Sequence, residues 1–234
     1  MIPFRYDPAI IERFPKLSAA ALKGSGLSNG PSPEELRRLY LQEQQAVLER
    51  IGRTPLSEIG TLAAWRSAFR QFGVDPTQYR SAVEALLRRL TKKGDIPSIN
   101  RIVDICNLVS IRHGLPIAGV DLRQVQGAIT VHFAAGSEKF TPLGVSEPEQ
   151  PEPGEVIFSD EAGLVVARRW CWRQSEESAA REETREAVFT IEAQHEGGQE
   201  TVAQALADLN ALLDQFTGGS YASKTTRPGL GFQE

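Results

Sequence analysis

Two of the three tryptophans, one of the two cysteines and three arginines crowd into RRWCWRQSEES, residues 168–178. Guanidinium groups are planar forks that grip carboxylate or phosphate oxygens, and indoles supply flat, largely apolar walls. If the preceding strand pattern GLVVARRW runs on through the segment, Trp170 and Trp172 share one face with Val166. Arg169, Cys171 and Arg173 then share the other. One face packs, and the other is free to read an anion. The plainer alternative makes the tryptophans core residues and pairs the arginines with Glu176, Glu177 and Glu182.

Other chemistry is sparse. Neither the dinucleotide-binding glycine pattern nor the phosphate-binding P-loop pattern occurs, so kinase and dehydrogenase readings fall away. His113, His132 and His195 lie far apart without ligand spacing, and the expectation is that no metal and no cofactor is used. Nothing in the spacing marks a serine nucleophile or pairs a cysteine with a histidine. An enzyme with this inventory needs a reaction in which a placed water attacks a bond that is already activated.

Composition sets wider bounds. The chain has 234 residues, 41% hydrophobic and 24% charged, with 20 Gly and 14 Pro, which describes a globular protein rather than a disordered or fibrous one. A chain of this length buries about 70% of the surface it exposes when unfolded. No apolar run is long enough to span a membrane and the N-terminus lacks the features of a secretory signal, so a cytoplasmic protein is expected. Cys106 and Cys171, distant and without a CxxC partner, read as reduced structural thiols. A net charge of −4 argues against coating nucleic acid by bulk positive charge. Arg88, Arg89, Lys92 and Lys93 can still form a local basic strip for RNA.

The elements that must position these groups divide into helices first and strands later. IPFRYD and LSAAALKG read as short strands. Ser32-Pro33-Glu34-Glu35 reads as a helix start with a hydroxyl cap, and the helix should reach about Ile51. Apolar spacing predicts further helices over Leu62–Phe72, Tyr79–Leu90 and INRIVDICNLVSIRHG, the last largely buried. From Ile129 the period becomes two, and AITVHFA, EKFTPL, EVIFSD, GLVVARRW and EAVFTIEA read as strands. SEPEQPEPGE reads as an extended surface loop. TVAQALADLNALLDQF is an amphipathic helix, and the segment from residue 219 to 234 is expected to be mobile.

The succession SINRIVDICNLVSIRHGLPIAGVDLRQVQGAITVHFA, FTPLG, GEVIFSD, WCWRQSEES and EETREAVFTIEA resembles the B3/B4 domain of the bacterial phenylalanyl-tRNA synthetase β chain. The resemblance covers residues 60–217. It implies an α+β fold with a mostly antiparallel or mixed β core flanked by helices. One domain over residues 1–218 is expected, with residues 1–60 as a helical N-terminal layer.

In the synthetase this domain hydrolyses the ester joining a wrong amino acid to tRNA. Stand-alone relatives include proteins that clear canavanine from arginine tRNA, and the resemblance implies an editing deacylase of that kind acting in trans. Canavanine differs from arginine by one oxygen in place of a methylene, a change that a single pocket rejects by only about 1–3 kcal/mol. A second, hydrolytic sieve meets that need.

Residue by residue, Asn107 stands where the family pocket has an asparagine and Glu192 where it has a substrate-facing glutamate. These two are the expected catalytic residues, converging on one cavity. Ala118 replaces a histidine common in the family, and WCWRQSE replaces a glycine-rich stretch. Arg169, Trp172, Arg173, Ala118, Asp104 and Glu155 are the expected substrate-binding set, and tRNA is the expected partner. The competing expectation is a non-catalytic tRNA-binding or synthetase-associated module.

Overall fold

The structure is a computed structural model that describes residues 2–227 and 231–232. The chain opens with β1 (Phe4–Tyr6), α1 (Pro8–Arg13) and β2 (Ser18–Ser25). Four longer helices follow: α2 (Glu34–Ile51), α3 (Gly60–Gln71), α4 (Ala82–Lys93) and α5 (Arg101–His113). Then come β3 (Ile117–Asp121), β4 (Ile129–Phe133), β5 (Val156–Ser159), β6 (Val165–Arg168), β7 (Arg173–Gln174) and β8 (Glu186–Ala193). The last elements are α6 (Gly198–Thr217), β9 (Ser220–Arg227) and β10 (Gly231–Phe232). The architecture is α+β.

Two five-stranded sheets organise the molecule, in the orders β1-β4-β5-β6-β7 and β10-β9-β2-β8-β3. The second sheet is antiparallel throughout, whereas in the first β1 lies parallel to β4. Strand alternation explains how the layers stack. Ala20, Leu22, Phe189 and Ile191 point from one face of the second sheet into a core shared with α2, α4, α5 and α6. Ala19, Ala21, Val120 and Val188 point from its other face toward Phe4, Ile129, Val131, Phe158 and Val166 of the first sheet. The result is helices on sheet on sheet, with Trp65 and Phe69 of α3 closing one side of the inter-sheet core.

Several expectations fail for identifiable reasons. Residues 220–227 form a strand rather than a mobile tail, because without β9 the middle strand β2 would present an open row of backbone donors and acceptors. The rest of that expected tail, residues 228–230 and 233–234, lies outside the described residues. EKFTPL yields only isolated bridges at Lys139, Phe140 and Pro142. A proline cannot donate to a ladder there. Ser32 does not cap α2, whose first residue follows an uncapped Pro33; the Ser32 hydroxyl donates instead to Asp104 Oδ2 at 2.6 Å.

Two elements escape the sequence pattern. Helix α1 is started by Asp7, whose Oδ1 accepts from Ala9 N at 2.8 Å, but it is a single short turn and a half that periodicity cannot register. Strand β3 has Ala118 and Gly119 at its centre, residues of weak strand propensity. Gly119 allows a close approach: a Cβ there would lie 3.1 Å from Ile102 Cγ2 and 3.3 Å from Cys106 Sγ on α5, tighter than side chains usually pack.

Ending the chain after Gly218 removes β9 and leaves β2 half-paired. Thermal unfolding of that truncation should show a loss of roughly 3 kcal/mol or more, a fall in Tm of about 10 °C. A Tm equal to that of the full chain would mean that β9 contributes nothing to the sheet.

Candidate functional site

Alternation along β8 sends Ala187, Phe189, Ile191 and Ala193 to the helices, and therefore Glu192 into the space between the sheets. The carboxylate is only 2% exposed. Two donors meet on one of its oxygens: Tyr6 Oη at 2.5 Å from β1 and Trp170 Nε1 at 2.8 Å from the turn after β6, both to Oε1. Among the described residues no donor reaches Oε2. Burial pushes the Glu192 carboxyl up to about 7, with the Tyr6 and Trp170 hydrogen bonds pulling the other way. The Tyr6 phenol is itself raised, first by burial and then by Glu192, and it stays a donor.

Trp170 reaches Glu192 because the backbone turns back on itself. Arg169 and Trp170 sit at φ 44° and φ 60°, the left-handed region that side chains other than glycine seldom adopt. Strand β6 therefore stops at Arg168, and the alternation expected through Trp172 does not occur. The indole of Trp170 is fully buried, edge-on to Phe14 at 4.7 Å and Trp65 at 5.3 Å.

Beside Glu192 lies a cavity of about 80 Å³. Thr190 and Ala118, paired across β8 and β3, line it with Phe158, Cys171, Trp172 and Arg173. Such a space takes a handful of waters or the charged end of a longer side chain. Burial and the neighbouring Glu192 push the Cys171 thiol well up, so it is no thiolate nucleophile.

Trp172 and Arg173 also line a second, wider groove of about 570 Å³, together with Arg80, Arg88, Arg89, Lys92 and Lys93. Helix α4 explains the strip. Ser81 caps its start, Val83, Leu87 and Leu90 face the core, and the basic residues of its last turns fall on the outer face. Of Arg88, Arg89, Lys92 and Lys93, only Arg89 has an acidic partner among the described residues, Asp95 at 3.5 Å, and both are exposed, so the pair is worth little. The expected basic strip thus ends at the mouth of the acidic cavity.

The structure does not bring the two expected catalytic residues together. Asn107 sits on α5, against the opposite face of the second sheet from Glu192, and the buried Tyr40 hydroxyl of α2 has no hydrogen-bond partner among the described residues. It lines a separate cleft with Val103, Cys106, Gly119 and Leu143. Ile117 and Gln174 border both spaces, so the edge strand β3 stands between the two residues. Odd and even positions of a strand cannot serve the same face.

Two further acids are committed elsewhere. Asp104 is fully buried and accepts from Ser32 Oγ, from Ser98 Oγ and from Ile99 N, holding the entry to α5. Glu155 takes a fork from Arg168, with Nε at 2.7 Å and Nη2 at 2.9 Å, while Glu149 takes the third nitrogen at 2.6 Å. Neither is available to a ligand. Of the glutamates expected as partners for Arg168, Arg169 and Arg173, Glu176 pairs with Arg181 and Glu177 accepts from Thr141 at 2.6 Å. Arg169 is wedged over Tyr79 at 3.8 Å and Trp172 at 4.7 Å, with Glu155 at 3.6 Å, outside the Glu192 cavity.

Tyr6 and Thr190 belong to the site but were not marked by sequence, and Trp170 was marked without its bond to Glu192. Tyr6 and Glu192 are 186 positions apart, a separation over which no local pattern carries information. Against the expectation that no spacing marks a serine nucleophile, GLSNG at residues 26–30 has that of a serine elbow, but Ser28 lies in the exposed loop after β2 with Arg101 Nη1 3.5 Å from its hydroxyl. Among the described residues no helix is long and apolar enough to cross a membrane.

Fold and site together define an α+β domain of two stacked sheets, with an acid buried between them and a basic groove at its mouth. Residues 64–209 match the family model of the B3/4 domain, and the chain belongs to that family. Phenylalanine–tRNA ligase β subunits are similar over shorter stretches: that of Aquifex aeolicus is 35% identical over 99 residues, and that of Shewanella oneidensis 34% identical over 88 residues. Those matches cover 42% and 38% of this chain but only 13% and 11% of the relatives, so the chain spans a small part of their length. Among solved structures, an N-terminal fragment of the phenylalanyl-tRNA synthetase β subunit from Pyrococcus horikoshii aligns with 96% of this chain and 53% of that one, at a TM-score of 0.48 and 14% identity.

The raised Glu192 carboxyl has a consequence for stability. Its folded value of about 7 exceeds the ordinary 4.5, so the folded state holds the proton more tightly and stability falls as pH rises from about 4.5 to about 7. Glu192→Gln keeps an acceptor for Tyr6 and Trp170 and removes the titration. Unfolding of the variant at pH 8 should show a gain of about 3 kcal/mol relative to the native chain, and little gain at pH 4. Parallel stability profiles for the two proteins would place the Glu192 carboxyl at its ordinary value.

Proposed function

We propose that this protein is a trans-acting aminoacyl-tRNA deacylase, and that its substrate is canavanyl-tRNA for arginine. The observation that carries the reading is the adjacency of the two spaces: a groove lined by basic residues of α4 meets an acid-floored cavity at Trp172 and Arg173. Phosphodiester backbone suits the first and the charged end of an amino acid suits the second. The family and the similarity to phenylalanine–tRNA ligase β subunits favour the same partner.

An aminoacyl ester is activated, so its hydrolysis requires a grip on the amino acid, a placed water and a donor for the developing oxyanion. Glu192 supplies the grip. A cationic group at Oε2 returns the carboxyl to its ionised form and gives the buried charge a partner. A phenyl ring in the same place would cover the acid without satisfying it, which is costly. The cavity thus favours a guanidinium-like or ammonium group over an aromatic side chain, and Ala118 leaves its wall apolar where the family has a histidine. Thr190, in the same lining, is the hydroxyl available to order water there.

One observation favours the second reading, a tRNA-binding or synthetase-associated module without turnover: Asn107, the other expected catalytic group, does not enter the cavity. The assay that decides is ester loss from canavanyl-, arginyl- and phenylalanyl-tRNA. Cleavage of the canavanyl ester alone is expected, with Glu192→Ala lowering turnover by about 100-fold and tRNA affinity by no more than about threefold. Background rates on all three, with tRNA still bound, would leave the binding module.

A further inference from the structure

Trp172 lies at the junction of groove and cavity with a guanidinium against its ring from each of two residues. Arg169 Cζ is 4.7 Å from the ring centroid, and so is Arg173 Cζ. The two arginines are held very differently. Arg169 is 8% exposed, lies 3.8 Å over the Tyr79 ring and has Glu155 at 3.6 Å. Arg173 is exposed and has no carboxylate within ion-pair distance among the described residues. Tyr79 meets the indole edge-on at 5.0 Å and fixes its plane.

We infer that Trp172 is a stacking platform for the 3′-terminal base of an RNA, and that Arg173 covers its ring only until that base arrives. The inference rests on the proposed reading of the groove and cavity as an RNA-end site. Three features converge on it. A chain whose backbone follows Arg88 and Lys92 and whose last residue enters the Glu192 cavity must pass Trp172, which lines both spaces. A base offers the indole a flat π-face of matching size, and that contact is stronger than the one made by an exposed cation. The displaced Arg173 does not lose its role, because a guanidinium at the groove's edge then has a phosphate to grip.

The buried arrangement of Arg169 supports the same assignment. A base that stacks needs a rigid surface behind it, and Arg169, wedged against Tyr79 and anchored by Glu155, backs the indole. Every base has a π-face, so the platform alone is tolerant of sequence. What it reads is the presence of one more nucleotide before the ester.

The test uses the full-length protein and an unacylated RNA hairpin ending in single-stranded ACCA, with 2-aminopurine as the terminal base, beside the same RNA lacking that nucleotide. Binding should quench the 2-aminopurine, and the longer RNA should bind more tightly. Trp172→Ala should weaken the longer RNA about tenfold and leave the shorter one within about twofold, which also shows that the variant is folded. Trp172→Phe should keep most of the preference. Arg173→Ala should keep the quenching while the salt dependence of binding falls by about one counterion. Equal affinity of the native protein for both RNAs, or undiminished quenching in Trp172→Ala, would overturn the platform. Canavanyl ester cleavage without terminal-base preference removes the platform alone, whereas a terminal-base preference without cleavage removes the deacylase alone.

Discussion

A carboxylate buried between two sheets is the constraint that the rest of the molecule accommodates. An ionised acid with a single satisfied oxygen is expensive in such a place, and Glu192 responds by holding its proton to about pH 7. The donors that make it tolerable come from far apart in the chain, Tyr6 from β1 and Trp170 from the turn after β6. That dependence gives the N-terminal strand a part in the site, although it lies outside the segment that matches the family model. Paired parallel to β4 at the edge of the first sheet, β1 brings Tyr6 to the face of β8 that carries Glu192.

The second sheet partitions the chemistry as well as the core. On its helical side Asp104 ties Ser32 and Ser98 to the start of α5, and Asn107 lines a separate cleft. Its inner face holds Glu192, Thr190 and Ala118. The proposed hydrolysis therefore draws on the inner face alone, without the asparagine. A ligand in one cleft is separated from the other by the width of β3, whose Gly119 allows α5 to press against it.

Much of the fold was legible because long periodic segments report their own burial. The stripes of α5 and α6 and the alternating run of β8 appear where the pattern puts them, and α4 appears three residues later than Tyr79–Leu90 at each end. Legibility ended where tertiary contacts decide. Ser32 has the position of a cap but is drawn away by Asp104. Ser220–Arg227 contains no strong strand signal, yet β2 recruits it. The site divides in the same way: Glu192 and the strip on α4 were marked, the first by resemblance and the second by charge spacing. Tyr6 and Trp170 were not marked as its partners, because a hydrogen bond spanning 186 positions leaves no trace in a local window.

The two left-handed residues after β6 tie these pieces together. Each costs about 1–2 kcal/mol in backbone strain, and neither is a glycine, which would adopt that conformation freely. Continuing the strand instead would leave Trp170 unable to reach Glu192 and would carry Arg169 away from Tyr79. The strain is held by what it creates: a buried indole bonded to the acid, and a guanidinium locked beneath Trp172. Arg168, the last residue of β6, is pinned by its fork to Glu155, so the reversal starts from a fixed point. One kink thereby sets both the floor of the cavity and the wall of the groove, and the distance between the two is fixed by two peptide units of backbone.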